Sequence, residues 1–271
     1  MTLPSSGPIS ISQINAEFAL GNSLSDYQGV TWYTDANATG VFATSPLSMS
    51  DFYGKRKYPN VTPGSTTITA TGSGSFTVPA YNTLVIELWG GGGGSGSVVG
   101  TASGYNGTDG ADTFITSLSL IAGGGKLSLG AGNYGVSAGG VGGTATGGNI
   151  NTSGGNGGSP VNYNYLNQNA GGSSPNGGAG GAYSGAYLVN GNPGFSPGGG
   201  GGGAAYSNNS GTVGVSGGAG GGAYCKKTYA LGTIPFGTGL IFSVGTGGRG
   251  GYQGANTGAA GAPGQIKFTW S

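Results

Sequence analysis

Hydrophobic and polar positions follow three rhythms along this chain. From Thr66 onward the rhythm is two. Leu84, Ile86 and Leu88 alternate with Val85, Glu87 and Trp89, and Ile266, Phe268 and Trp270 share one side of the last segment. Period two sends successive side chains to opposite faces of a strand. The runs 67–71, 76–78, 83–89, 114–121, 228–231, 240–244 and 266–270 therefore predict an antiparallel sandwich of about seven strands.

The second rhythm is helical and confined to residues 1–58. Ser10 followed by Gln13 forms a capping box, with Ile9 and Ile14 at the hydrophobic-staple positions. The helix would run from about Ile11 to Leu20, bury Ile11, Ile14 and Phe18, and stop at Gly21. A second copy follows, with Ser48 as cap, Asp51 at the third position, Leu47 and Phe52 as staple and Gly54 as stop. The middle, Tyr27 to Phe42, reads as extended. This segment is too small to predict a strong core of its own, so docking onto a partner would supply the missing burial; packing on its own C-terminal domain would do so equally. Lys55-Arg56-Lys57 reads as a solvated junction stiffened by Pro59 and Pro63.

The third rhythm is three, and glycine carries it. Between Gly90 and Cys225 lie 48 of the 68 glycines, opening on the run Gly90–Gly94. Gly139-Gly140-Val141-Gly142-Gly143, Gly154-Gly155-Asn156-Gly157-Gly158, Gly177-Gly178-Ala179-Gly180-Gly181 and Gly247-Gly248-Arg249-Gly250-Gly251 repeat every three residues. A non-periodic glycine excess means a flexible linker. Period three matches a polyproline II-type helix, whose bare faces can approach other backbones and bond to them. Collagen needs an unbroken frame rich in proline. Here the frame breaks, so a bundle of short polyglycine II-type helices is expected.

The fold expectation is thus mainly β. It comprises a small α-containing N-terminal module (1–58) and a glycine-rich β-sandwich domain (59–271), with the glycine-rich core (90–225) as one large inserted layer.

Composition removes most chemistry. Charged residues are 6% of the chain and the formal net charge is +1. That is no electrostatic footprint for nucleic acid or an acidic membrane. No apolar run is long enough for a membrane helix. The start, Met1-Thr-Leu-Pro-Ser-Ser-Gly7, lacks the pattern of a secretory signal. With no histidine and one cysteine, a zinc cluster has no ligands. Cys225, beside Lys226 and Lys227, reads as a packed thiol rather than a reactive one. Asp109 and Asp112 are the only acids close together; they lack calcium-loop spacing and read as a turn. No phosphate-loop lysine follows the glycines. The chain is expected to be no enzyme and to need no cofactor or metal.

What remains is aromatic. Tyr163, Tyr165, Asn167, Tyr183, Tyr187, Phe195 and Tyr206 interrupt the glycine blocks where helices would turn. Tyrosine, serine, glycine and asparagine are the residues of adaptable binding loops, so these seven are candidate receptor contacts. The alternative is that they only cover lattice edges.

Two stretches carry a resemblance. Ser6-Gly-Pro-Ile-Ser-Ile-Ser-Gln-Ile14 with Glu17 and Phe18, then Leu47-Ser-Met-Ser-Asp-Phe-Tyr-Gly54, resemble the N-terminal module of tailed-bacteriophage virion proteins. The resemblance implies that this module attaches a variable distal part to the particle through other virion proteins, with Ile9, Ile14, Phe18, Leu47, Phe52 and Tyr53 as candidate attachment residues. The second stretch runs from Phe76-Thr-Val-Pro79 through Leu88-Trp-Gly-Gly-Gly to Gly222-Ala-Tyr-Cys-Lys-Lys-Thr228 and Phe268-Thr-Trp270. It is similar to glycine-rich domains of phage tail fibres and, in design, to the tip adhesins of T-even-type long tail fibres. A non-enzymatic tail-fibre or tail-tip adhesin in the virion is implied, oligomeric on the particle. Its target would be a host surface glycan or outer-membrane protein. The rivals are a decoration, collar or head-fibre protein that binds no receptor and, from another class, an ice-binding protein; the latter would want regular Thr or Ala rows, whereas the X positions here are mixed.

Overall fold

The computed structural model describes residues 2–99, 103–132, 135–161, 168–183, 189–207, 213–252 and 256–271. Two units form: Met1–Pro63 with Pro79–Asn82 and Ser271, and Gly64–Val78 with Thr83–Trp270.

The first unit repeats one five-residue device three times. Ser10-Ile-Ser-Gln-Ile14, Ser23-Leu-Ser-Asp-Tyr27 and Ser48-Met-Ser-Asp-Phe52 each begin a helical turn with serine as cap. The side chain at the fourth position accepts the cap's own N–H, at 2.8 Å for Gln13, 3.0 Å for Asp26 and 2.7 Å for Asp51. Capping and reciprocal bonding satisfy donors that a helix start leaves open. The fifth residue of each copy, Ile14, Tyr27 or Phe52, is fully buried. The first copy opens α1 (Ile11–Phe18); the others make single 3-10 turns. Strands β1 (Thr31–Tyr33) and β2 (Thr39–Val41) pair between them as a hairpin. The first and third copies are those the sequence predicts; the copy at 23–27 is an addition.

These turns deliver a real core. Phe18, Tyr27, Phe42 and Phe52 meet with ring centroids 4.4–6.2 Å apart, and Leu3 and Ile14 complete the cluster. The expectation that this segment lacks a core of its own is corrected: edge-to-face aromatics bury much area per residue. The basic triplet is also no solvated linker. Arg56 exchanges backbone hydrogen bonds with Tyr33 at 2.9 and 2.8 Å, and Lys57 N–H donates to Glu17 at 2.9 Å. Lys55 Nζ lies 3.2 Å from the centre of the Trp32 ring.

The second unit is built from two five-stranded antiparallel sheets. Its strands are β3 (Gly64–Ile68), β4 (Gly72–Thr77), β5 (Thr83–Trp89), β6 (Thr113–Ile115), β7 (Leu120–Ala122), β8 (Ala145–Thr146), β9 (Ile150–Thr152), β10 (Ala205–Ser207), β11 (Val213–Val215), β12 (Tyr224–Ala230), β13 (Gly239–Val244) and β14 (Gln265–Trp270). The first sheet has the order β3-β14-β5-β12-β9, the second β4-β13-β6-β7-β8; β10 and β11 pair apart as a hairpin. Alternation sends Leu84, Ile86, Leu88, Ile266 and Phe268 inward from one sheet, and Ile115, Leu120, Leu240, Phe242 and Val244 from the other. Phe76 stacks on Phe268 across the core at 3.9 Å. The run read as one strand over 114–121 is two short strands around a 3-10 turn at Thr116–Leu118. That break puts Ile115 and Leu120 inside, leaving Phe114 and Ile121 exposed.

The glycine-rich region is not a separate layer. It continues both sheets along the strand direction with the same partners and a new period. Where β5 ends, Gly90 and Gly93 donate to Ala223 and Gly220, extending the β5–β12 ladder; Gly92 donates to Ala262, extending β5–β14. Thr108 and Ala111 donate to Arg249 and Thr246, extending β6–β13. Side chains hold stacked sheets about 10 Å apart. With glycine in their place, the two layers close to hydrogen-bond distance: Gly91 N–H meets the Ala111 carbonyl at 3.0 Å, and Gly125 N–H meets the Gly91 carbonyl at 2.9 Å.

Segment 90–98 shows the resulting geometry. The N–H groups of Gly91, Gly94 and Ser97 donate to Ala111, Thr108 and Tyr105; those of Gly92, Ser95 and Val98 donate to Ala262, Ala259 and Asn256. Its carbonyls accept from Gly125, Ser128 and Ala131, from Gly248 and Gly251, and from Gly201. Partners recur every third residue, three neighbours antiparallel and three parallel, as three residues per turn demand. A Cβ on Gly92 would lie 2.1 Å from the Gly199 carbonyl oxygen, and one on Gly94 2.0 Å from that of Arg249. Only glycine fits there.

Depth follows glycine content. The unbroken runs 90–94, 198–203 and 217–222 (alanine at 219) are buried throughout, whereas Val141, Asn156, Ala179 and Arg249, the third residues of GGX triplets, are exposed.

Candidate functional site

The two five-stranded sheets run into the glycine lattice at one end, and the β10–β11 hairpin lies at the other. Val98 bridges both Ala131 and Asn256, Val136 bridges Val215, and Val189 bridges Ala205. Ser97 N–H donates to Tyr105, Gly203 N–H to Asn169 and Gly158 N–H to Ala170. These contacts form a level at the end of the lattice opposite the sandwich, here called the apex. The described residues flanking 100–102, 133–134, 162–167, 184–188, 208–212 and 253–255 all lie at this level.

The apex has its own construction. Toward it the glycines give way to buried serines at 95, 97, 128, 137 and 216, whose hydroxyls replace backbone partners. Ser216 Oγ donates to the Gly96 carbonyl at 2.7 Å and accepts from Ala204 N–H at 2.8 Å. Ser128 Oγ accepts from Gly96 N–H at 3.0 Å. Each hydroxyl both donates and accepts, so it can bridge a gap widened by its own Cβ without leaving a buried polar group unpaired. Val98, Ala131 and Ala204 add a small apolar cluster on which Tyr206 packs.

The candidate receptor residues divide. Tyr163, Tyr165, Asn167 and Tyr187 fall outside the described residues. Tyr183 stands at the apex, 45% exposed, and Tyr206 is half-buried there on β10. Phe195 is 64% exposed at the opposite end, because 190–195 is itself a lattice segment: Gly191 and Gly194 donate to Thr257 and Ala260. The structure thus separates Phe195 from Tyr183 and Tyr206. It adds Tyr105 (51% exposed) and Tyr252 (81% exposed), whose places inside period-three frames hide them in the sequence.

The candidate attachment residues face mainly inward. Ile14, Phe18 and Phe52 are core, Ile9 and Leu47 pack against them, and Tyr53 donates its hydroxyl to the Gly7 carbonyl at 2.6 Å. They build the first unit; its surface offers instead a hollow of about 270 Å3 bordered by Trp32, Val41, Leu47 and Lys55.

Ionisable groups serve structure. Asp109 accepts Leu127 N–H and the Lys126 ammonium, both at 2.9 Å. Burial pushes its carboxyl up, but those two donors outweigh burial and hold it below the usual range. Asp112 accepts Gly124 N–H at 2.8 Å. Cys225 is buried, burial raises its thiol pKa, and its Sγ donates to the Thr146 carbonyl at 3.3 Å. Among the described residues, no three His, Cys, Asp or Glu side chains gather as a metal site, and no helix is long and apolar enough to cross a membrane. No protein-family model matches the chain, and no curated protein matches it.

Proposed function

We propose that this chain is a non-enzymatic virion protein of a tailed bacteriophage, an adhesin of the tail-fibre or tail-tip kind that binds a host surface receptor through its apex. One observation carries the reading: Tyr105, Tyr183 and Tyr252 are exposed at one end of a lattice fixed by its own backbone. A scaffold bonded through its backbone leaves the apical side chains free to vary without cost to the fold. Exposed tyrosines on a rigid support bring large contact area with little entropy to lose. The first unit, with its own core, is the part that attaches to other virion proteins.

The test uses fluorescently labelled full-length protein on a panel of bacterial strains. A variant with 162–167 and 184–188 replaced by Gly/Ser of equal length, and Tyr183→Ser with Tyr252→Ser, should keep the thermal midpoint and lose adhesion. Adhesion equal to that of the parent, or none to any strain by the parent, sinks the reading. Immunogold labelling of virions with antibody to the second unit should decorate a tail tip; decoration of the head or neck would favour a decoration or collar role.

A further inference from the structure

The outer face of the first sheet carries an ordered grid of polar side chains. β5 is paired with β12 on one side and β14 on the other, so residues in register stand side by side. One row reads Tyr224–Trp89–Gln265 and the next Lys226–Glu87–Lys267. Directly opposed residues on one face have Cβ atoms about 5 Å apart. Above this grid, at the sandwich end of the lattice, Asn176 and Pro197 overhang, and Trp89 Nε1 donates to the Pro175 carbonyl at 3.1 Å. The open cleft holds about 570 Å3, within the size class of small-molecule sites.

Its chemistry is specific. Glu87 receives the Tyr224 hydroxyl at 2.6 Å on one carboxylate oxygen, which fixes the side chain and leaves the other oxygen to accept. Neither Lys226 nor Lys267 has an acidic partner within ion-pairing distance among the described residues. Both are half-buried, so the cleft holds more positive than negative charge at partly dehydrated positions. It therefore asks for one negative charge. A doubly charged phosphate would be repelled by Glu87, whose open oxygen instead wants a hydroxyl donor. The amides of Gln265 and Asn176 both donate and accept, as hydroxyls do. A carboxylate with hydroxyls around it meets all of these demands.

We propose that this cleft is a binding site for a sugar acid, its carboxylate held between Lys226 and Lys267 and its hydroxyls by Glu87, Gln265 and Asn176. The site is independent of the apex and of the adhesin reading.

Titration of the full chain with sodium glucuronate, glucose or sodium phosphate tests it, read by tryptophan fluorescence and by calorimetry. Glucuronate should bind saturably, at least tenfold more tightly than glucose or phosphate, and more weakly as salt rises. Lys226→Gln with Lys267→Gln should weaken glucuronate at least tenfold with an unchanged thermal midpoint, while Val141→Ala, remote from the cleft, binds as the parent does. No saturable glucuronate binding, equal binding by the double variant, or phosphate matching glucuronate would each overturn the proposal.

Discussion

At the residue scale, one absent atom decides most of what happens in the second unit. At Gly92 and Gly94 an added Cβ meets carbonyl oxygens of neighbouring backbone at 2.1 and 2.0 Å, and backbone in a six-neighbour lattice has nowhere to retreat. Gly92→Ala should destabilise the unit by about 3 kcal/mol or more, beyond ordinary overpacking, whereas Val141→Ala should stay within about 0.5 kcal/mol; thermal unfolding of the two variants checks this. A second residue-scale effect concerns alkali. Burial, then the hydrogen bond and charge of Glu87, push the Tyr224 phenol well above its usual pKa, so the fold prefers the protonated form. Its contribution is complete below about pH 10, the pKa of a free tyrosine, and is lost as pH rises from there through the folded value. Tyr27, raised first by burial, has the same sign. Denaturation between about pH 9 and 12 should show stability falling above about pH 10, with a shallower slope in Tyr224→Phe.

At the element scale, the turns of the first unit were legible wherever the cap and the staple fell together. Ile9 and Leu47 mark Ser10 and Ser48 as caps; Ser23 follows Gly21-Asn22 and has no staple to mark it. The pattern serine, aliphatic, serine, Asp or Gln, then a large apolar residue would have found all three. Ser23→Ala should cost the first unit about 1 kcal/mol, read from the loss of near-ultraviolet signal on denaturation. The strands were legible from alternation, apart from the break at 116–118. Another device was not legible: Gly40, Gly64 and Gly74 each stand in register opposite an aromatic ring, of Trp32, Trp270 and Phe242. A Cβ on any of them would lie within 2.6 Å of that ring. Ring-over-glycine pairing protects weak strand positions, but it depends on register, and for Gly64 and Gly74 it links residues far apart in sequence. The apex was half legible for a similar reason. Interruptions of the glycine frame marked Tyr183 and Tyr206, while nothing local separates Tyr252, which caps a frame, from a buried lattice position.

At the scale of the whole molecule, the lattice replaces apolar burial with backbone hydrogen bonds. Unfolding exposes peptide groups, which lower the heat capacity change, and relatively little hydrocarbon, which raises it. Calorimetry should therefore give a heat capacity increment below the roughly 12–15 cal/mol/K per residue of ordinary globular proteins. An increment at or above that range would mean that side-chain burial governs stability here too.

The continuity of ladder into lattice also has a mechanical consequence. From Trp89 onward the backbone bonds between neighbouring segments lie across the strand direction, and the partners are kept through Val98 on the β14 side and through Gly93 on the β12 side. Tension between apex and sandwich would load those bonds together in shear instead of peeling them one at a time. A scaffold whose buried runs are glycine, the most flexible amino acid, thereby resists stretching along its strands.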